Sequence, residues 1–320
     1  MTRASNDNTD LTPRTTFDGP ELRFDFPGLE IGVAEYDEGP TGCTVFHFPA
    51  GVPAAMDVRG GSPAYVGDYG FVHAVCFAGG SIYGLEAASG VAAELFARRG
   101  HSTAWNEIAV VSGAIIYDYR PRQNAIYPDK TLGRAALQAA RPGVFPLGPR
   151  GAGRSATVGK GPALGRWEPA GQGGAIRQLG ATKTAVFTVV NAIGAIVDRD
   201  GRVVRGHLDP DSGTRRHAAD ALARAPAAND APPGNTTLTL VATNQQLDRR
   251  ALVQLGRQVH ASMARAIQPF HALNDGDVLV TVSTGEVIAD ADALDDWTLG
   301  VLAAETAWDA VLTSFSPAAE

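Results

Sequence analysis

Short alternating runs of apolar and polar residues dominate the first half of the chain, and apolar positions at three- and four-residue spacing dominate its end. Alternation places side chains on opposite faces of a strand, whereas three- and four-residue steps collect them on one face of a helix. Ordered sequence is expected to begin near Leu22, with short strands over 30–34 and 43–48. Gly79-Gly80-Ser81 leads into a helix over 82–99, where Leu85, Ala88, Val91 and Leu95 share a face. The β-branched run 108–117 predicts a buried strand that ends on Tyr117. An Ala-rich helix over 132–140 is stopped by Pro142-Gly143. Residues 143–180 are Gly-rich and read as loop, 185–197 as a strand, and Asp200-Gly201 as a turn before Val203-Val204.

Residues 221–235 are rich in Ala and Pro, carry no periodicity, and read as an exposed linker. Beyond them the pattern becomes β-α-β-α. The Thr-, Leu- and Val-rich run 236–242 is a strand. A helix runs from an Asp248 cap to Ile267, with Leu252, Leu255, Val259, Met263 and Ile267 on one face. A second strand covers 278–283. The last helix places Leu294, Trp297, Val301, Ala304, Trp308, Val311 and Phe315 at helical steps, which predicts that this stripe faces the core.

Composition narrows the class. A chain of 320 residues that is 44% apolar can bury a large core. A net charge of −7 argues against nucleic acid or an anionic membrane as the main partner. The basic pairs Arg98-Arg99, Arg215-Arg216 and Arg249-Arg250 are scattered and read as solvated surface. Two cysteines, Cys43 and Cys76, form no disulfide framework or zinc pattern, and both are expected as buried thiols. No apolar run approaches the ~18 residues of a membrane span. Residues 1–21 are polar, lack the apolar centre of a signal peptide, and read as a disordered tail on a cytoplasmic protein, leaving 22–320 as a single domain.

Several motifs fail on their own chemistry. Gly153 to Lys160 resembles a phosphate loop, but its spacing is one residue too long. Gly161 also stands where a magnesium-binding hydroxyl is needed. Gly151-Ala152-Gly153 follows no strand, and the seven histidines show no metal spacing. His260 lies beside an apolar stripe, where a hydrogen-bonded structural histidine is expected. Four other features stay open between structure and chemistry. Asp275-Gly276-Asp277 is either a turn or a pair of carboxylates aimed to one side of an extended segment. Lys160 is either a solvated loop lysine or a cation crowded by small residues. Asn191 interrupts an apolar strand, so its amide must be hydrogen-bonded there. Tyr117 is a strand-end tyrosine with a wet hydroxyl.

The sharpest candidate is Gly234-Asn235-Thr236-Thr237, at the junction of linker and strand. Cleavage between Asn235 and Thr236 creates a threonine that carries a hydroxyl nucleophile and an amine base on one Cα. An α-amine with an ordinary pKa of about 7.7–8.0 is partly neutral near neutral pH, which suits a base. The new terminus would begin a strand, where ladder hydrogen bonds hold it still.

Together these positions resemble the nylon-oligomer hydrolases, within the family of L-aminopeptidase D-esterases and β-aminopeptidases. The resemblance runs from about Leu22 to Leu312. It is carried by Leu22-Arg23-Phe24-Asp25-Phe26-Pro27-Gly28, Glu38-Gly39-Pro40-Thr41-Gly42, Tyr83-Gly84-Leu85-Glu86-Ala87 and Tyr127-Pro128-Asp129-Lys130. Gly234-Asn235-Thr236-Thr237, Ile267-Gln268-Pro269-Phe270-His271 and Asp275-Gly276-Asp277 complete it. It implies an α/β fold, a four-layer α/β/β/α sandwich of the N-terminal-nucleophile type, built from fragments 22–235 and 236–320. Thr236 is then the nucleophile of both self-cleavage and catalysis. Asp275 and Asp277 orient its amine and hydroxyl, Lys160 and Asn191 face it, and Tyr117 lies on the oxyanion side. The implied activity is hydrolysis of internal amides in linear 6-aminohexanoate oligomers, with no metal or cofactor, by a homotetramer. An aminopeptidase, an acyltransferase and a non-catalytic binding relative are the alternatives.

Overall fold

The computed structural model describes residues 2–161, 165–224, 234–288 and 293–315. In chain order the first strands are β1 (Glu21–Arg23), β2 (Glu30–Tyr36), β3 (Thr41–Val58), β4 (Tyr65–Val66) and β5 (Phe71–Ala78). Helix α1 (Glu86–Arg98), strand β6 (Val111–Ile115) and helix α2 (Lys130–Gln138) follow. Then come β7 (Val144–Pro146), β8 (Thr157–Val158), β9 (Glu168–Pro169), β10 (Gln172–Leu179), β11 (Thr182–Asn191), β12 (Ala195–Val197) and β13 (Val203–Arg205). Helix α3 (Ala218–Arg224), strand β14 (Thr236–Gln245), helix α4 (Arg249–Ser262), strands β15 (Ile267–Gln268) and β16 (Val278–Val287), and helix α5 (Asp296–Leu312) complete it.

Nine strands join in the order β10-β11-β14-β16-β3-β5-β6-β4, with β2 also on β3. The 18-residue β3 serves two layers. Its first half pairs with β2 and β5, and its second half pairs with β16. Alternation along each strand then builds three apolar cores in four layers. Phe187, Leu240 and Val280 meet Phe46, Phe77 and Ile31 between the two sheet halves. Their chain neighbours Val186, Val241 and Leu279 point the other way, onto Leu255, Val259, Leu299 and Ala303 of α4 and α5. Cys43, Val45 and Cys76 face Val91, Leu95 and Leu132 of α1 and α2. This is the α/β/β/α order expected, and both cysteines are buried free thiols.

Four expectations need correction. The stripe of α5 is displaced: Leu299, Ala303, Ala307 and Ala310 are buried, while Trp297 and Val301 are 71% and 48% exposed. Small residues face inward because α5 lies hard against β10, where a Cβ on Gly173 would stand 1.9 Å from the Ala310 carbonyl oxygen. The same approach explains why a Gly-rich segment forms β10 rather than loop, since only glycine leaves room for the helix. The helix begun at Asp248 ends at Ser262, and Ile267 is already strand. The start of the expected linker is helical, with Ala221 buried in α3, while residues 225–233 lie outside the described residues.

The N-terminal residues also depart from the disordered tail. Arg14 exchanges backbone hydrogen bonds with Glu35 and pairs with its buried carboxylate at 2.5 Å. Asn6 bonds to both backbone groups of Tyr127. A polar sequence can pack as a strap when its partners are buried polar groups that need satisfying.

Candidate active site

Thr236 opens β14 in the middle of the sheet, in register with Asn191 at the end of β11. The loop before β16 brings Asp275 beside Asn235 in a parallel bridge. The turn after β8 supplies Lys160, and the segment after β6 supplies Tyr117. Lys160, Tyr117, Asn191, Asp275 and Asp277 are thus gathered around the segment 234–237.

Two donors aim at the Asn235 carbonyl oxygen. The Thr236 hydroxyl reaches it at 2.5 Å, and the Gly276 N–H donates to it at 2.7 Å. Gly276 is required here, because a Cβ would lie 2.7 Å from the Thr236 hydroxyl oxygen and 2.9 Å from the Ser62 carbonyl oxygen. The Asn191 side chain is fully engaged. Its Oδ1 accepts from Lys160 Nζ at 2.8 Å and the Thr157 N–H at 3.1 Å. Its Nδ2 donates to the carbonyls of Tyr117 at 3.1 Å and Gly234 at 3.4 Å. Lys160 is no solvated lysine: it is fully buried and donates again to the Asn191 carbonyl at 2.9 Å. Burial, helped by the Arg120 charge and opposed by Asp275, holds its amine well below the ordinary lysine range. The Tyr117 ring packs on Gly234, where a Cβ would come within 2.6 Å of it.

Asp275-Gly276-Asp277 is not a surface turn, since both carboxylates are buried. Asp277 accepts from the Thr237 N–H at 2.6 Å with one oxygen. With the other it meets the His271 backbone N–H at 3.2 Å and His271 Nδ1 at 2.9 Å. Asp275 uses one oxygen for the Ala272 N–H at 2.8 Å, and its Oδ1 is buried without a hydrogen bond. Burial first, then the Asp277 charge, raise its pKa to about 6, against the Ala272 and Ile193 backbone and Lys160.

That shift has a defined sign. Asp275 releases its proton near pH 4 when unfolded and near pH 6 when folded. Its contribution to stability is therefore present below the unfolded pKa and lost as pH rises through about 6. Asp275→Asn is expected to stabilise the fold more at pH 7 than at pH 4, by on the order of 2–3 kcal/mol, seen as a larger rise in Tm at pH 7. Thermal melts of the uncut Thr236→Ala chain with and without the change measure it. Equal shifts at both pH values would contradict the linkage.

Sequence reasoning passed over two contributors. Gly276 acts through its backbone N–H, which no side-chain pattern reveals. His271 holds the second oxygen of Asp277 from a left-handed backbone position (φ +60°), and its ring stands across that of His260, 4.4 Å away. His260 itself bonds Asp57 at 2.8 Å, as a structural histidine should. Among the described residues no three His, Cys, Asp or Glu side chains gather into a metal-binding group. No described helix is long and apolar enough to cross a membrane.

The profile of peptidase family S58 matches residues 24–320. The chain belongs to peptidase family S58. This S58 chain is a hydrolase of amide bonds. It is 47% identical to a 6-aminohexanoate-oligomer endohydrolase of Paenarthrobacter ureafaciens, over 96% of this chain and 89% of that protein. An uncharacterized aminopeptidase of Mycobacterium leprae is 32% identical over 79% of this chain and 73% of its own length. Among solved structures, a β-aminopeptidase of Burkholderia sp. has a TM-score of 0.64 at 17% identity, covering 92% of this chain and 88% of that one. The L-aminopeptidase D-Ala-esterase/amidase of Ochrobactrum anthropi has a TM-score of 0.65 at 17% identity, covering 94% and 88%, and is described as a variant of the Ntn-hydrolase fold. The S58 chain thus has the N-terminal-nucleophile hydrolase fold.

Proposed function

We propose that this S58 member cuts its own Asn235–Thr236 bond and then hydrolyses internal amides of linear 6-aminohexanoate oligomers or similar ω-amino-acid polyamides. The observation that carries the reading is the Asn235 carbonyl held between the Thr236 hydroxyl and the Gly276 N–H. The Gly276 N–H beside that oxygen is placed to stabilise the oxyanion that forms from it, and the Thr236 hydroxyl is the attacking group.

In the first stage Thr236 Oγ attacks the Asn235 carbonyl carbon. The C–N bond breaks, the nitrogen takes a proton, and the acyl group rests on Oγ as an ester. Water then opens the ester, leaving a carboxylate on Asn235 and a free amine and hydroxyl on Thr236. The nitrogen of Thr236 is acylated before the cut, so a side chain must take the hydroxyl proton. Asp275, ionised at neutral pH yet more basic than an ordinary carboxylate, and Lys160, with its lowered pKa, are suited to it. In the second stage the freed amine replaces them as base. The substrate carbonyl takes the place of the Asn235 carbonyl, with Asn191 and Tyr117 as further donors once the Gly234 end has moved away. Asp275 and Asp277 orient the amine, the former with the oxygen that lacks a partner before the cut.

The substrate class is supported by the 47% identity to the endohydrolase. Assembly as a homotetramer belongs to the same reading and rests on family resemblance; a cytoplasmic location belongs to it as well. The aminopeptidase alternative is supported by the 32% identity to the uncharacterized aminopeptidase of Mycobacterium leprae. Mass analysis of the purified protein is expected to give two chains, the smaller beginning at Thr236. Assays on 6-aminohexanoate oligomers are expected to give similar kcat/KM with free and acetylated amino ends. An active but uncut chain would overturn self-processing. A fall of roughly a hundredfold on acetylation, about 2.7 kcal/mol, would favour the aminopeptidase.

A further inference from the structure

We infer that a tyrosine-walled cleft of about 430 Å³ beside the scissile segment binds the polymethylene part of the substrate and turns away its ammonium end. This deepens the reading above and rests on it for the identity of the substrate. Tyr83, Tyr117, Tyr119 and Tyr127 line the cleft together with Asn124, Ala125 and Arg3. Four of the chain's seven tyrosines are thus gathered at one place.

The rings form a fixed surface. Tyr83 and Tyr127 stand 5.8 Å apart, and Tyr117 and Tyr119 meet edge to face at 5.6 Å. The Arg122 guanidinium lies 4.1 Å from the centre of the Tyr119 ring, and Arg122 is itself buried and paired with Asp118. Tyr83 is nevertheless 63% exposed and Tyr117 37% exposed, so ring surface is offered to a ligand. Tyr117 joins the cleft to the chemistry, since the same ring packs on Gly234, two residues before Thr236.

Charge decides what fits. Among the described residues Arg3 is the one charged side chain of the lining, and no carboxylate lines it. The carboxylates behind the wall are committed: Asp118 to Arg122, Thr41 and the Gly80 N–H, and Asp129 to Tyr36, Asn6 and the Leu132 N–H. Glu86 reaches the Tyr127 hydroxyl and lies outside the lining. An ammonium placed in the cleft meets the Arg3 charge and, among the described lining residues, no carboxylate, so that only ring faces, hydroxyls and the Asn124 amide are left to hold it, whereas an alkyl chain meets the same ring faces without that repulsion. Each buried methylene is worth roughly fourfold in affinity, so one aminohexanoyl unit has enough apolar length to be recognised without charge.

The N-terminal strap forms part of this wall. The Ala125 N–H donates to the Ala4 carbonyl at 2.7 Å, and Asn6 brackets Tyr127, which sets Arg3 at the rim.

The test is calorimetric titration of the cut protein with amino-acetylated and free 6-aminohexanoate trimers whose internal amides are replaced by ketomethylene groups, which it cannot hydrolyse. The acetylated trimer is expected to bind more tightly than the free one. The combined change Tyr83→Ala and Tyr127→Ala is expected to weaken it about tenfold. Arg3→Glu is expected to narrow or reverse the preference between the two ligands. Equal binding of both trimers, or unchanged binding after the double change, overturns the inference. Because no hydrolysis is measured, these outcomes stand apart from failure of the self-processing reading, which appears as an uncut or inactive wild type. In the hydrolysis assay the double change is expected to raise KM, with self-cleavage, followed by mass, separating a damaged fold from an emptied cleft.

Discussion

Thr236→Ala is expected to remain one chain of 33.3 kDa and to lose oligomer hydrolysis by roughly 10⁴-fold or more. The change deletes the hydroxyl that lies 2.5 Å from the Asn235 carbonyl oxygen and leaves the strand around it intact. Thr237 cannot stand in, because its side chain leaves the opposite face of β14 and its own N–H is held by Asp277. Thr236→Ser keeps a hydroxyl at the same place and should still be cut. Intact mass and an oligomer assay on the two variants decide the matter. Efficient cleavage of the alanine protein would put the nucleophile elsewhere.

Lys160→Met is expected to slow self-cleavage and hydrolysis by about 10²–10³-fold while changing Tm by only a few degrees. Methionine nearly fills the volume of the lysine but cannot donate to the two oxygens of Asn191. Loss of those bonds costs stability. Relief from burying an amine returns part of it, because a lysine whose folded pKa is depressed gives up stability as pH falls through that pKa. The two effects oppose in the melt and not in the rate. A time course of fragment appearance, read beside a thermal melt, separates them. Wild-type cleavage in this variant would reduce Lys160 to a filler of the core.

Much of this architecture was legible from spacing. Leu252, Leu255 and Val259 of α4 are buried as their helical spacing requires. Strand β14 starts on Thr236, at the boundary set by Thr-, Leu- and Val-rich alternation. Where the reading slipped, close packing was the reason. Helical spacing suggested that Trp297 and Val301 of α5 were core, but the helix approaches β10 so closely that alanines occupy the inner face. The site was legible to the extent that its side chains are chemically unusual for their surroundings, as Asn191 is within a β-branched strand. The Gly276 N–H and the second oxygen of Asp277 depend on backbone path, and residue type alone does not encode a path.

If the chain cuts itself as proposed, the place of Thr236 in the sheet bears on the life of the molecule afterwards. Strands β14 and β16 come from the segment after the cut, yet they lie between β11 and β3 from the segment before it. Hydrogen-bonded ladders therefore stitch the two pieces together along both flanks, and the pieces should travel as one particle until the sheet itself opens. Opening then has a different meaning. The uncut chain can refold alone at any dilution, whereas the halves of a cut molecule must find each other again. Refolding yield should fall with dilution for the cut form and not for the uncut one. Cleavage would act as a ratchet, set once during maturation and not reset by renaturation.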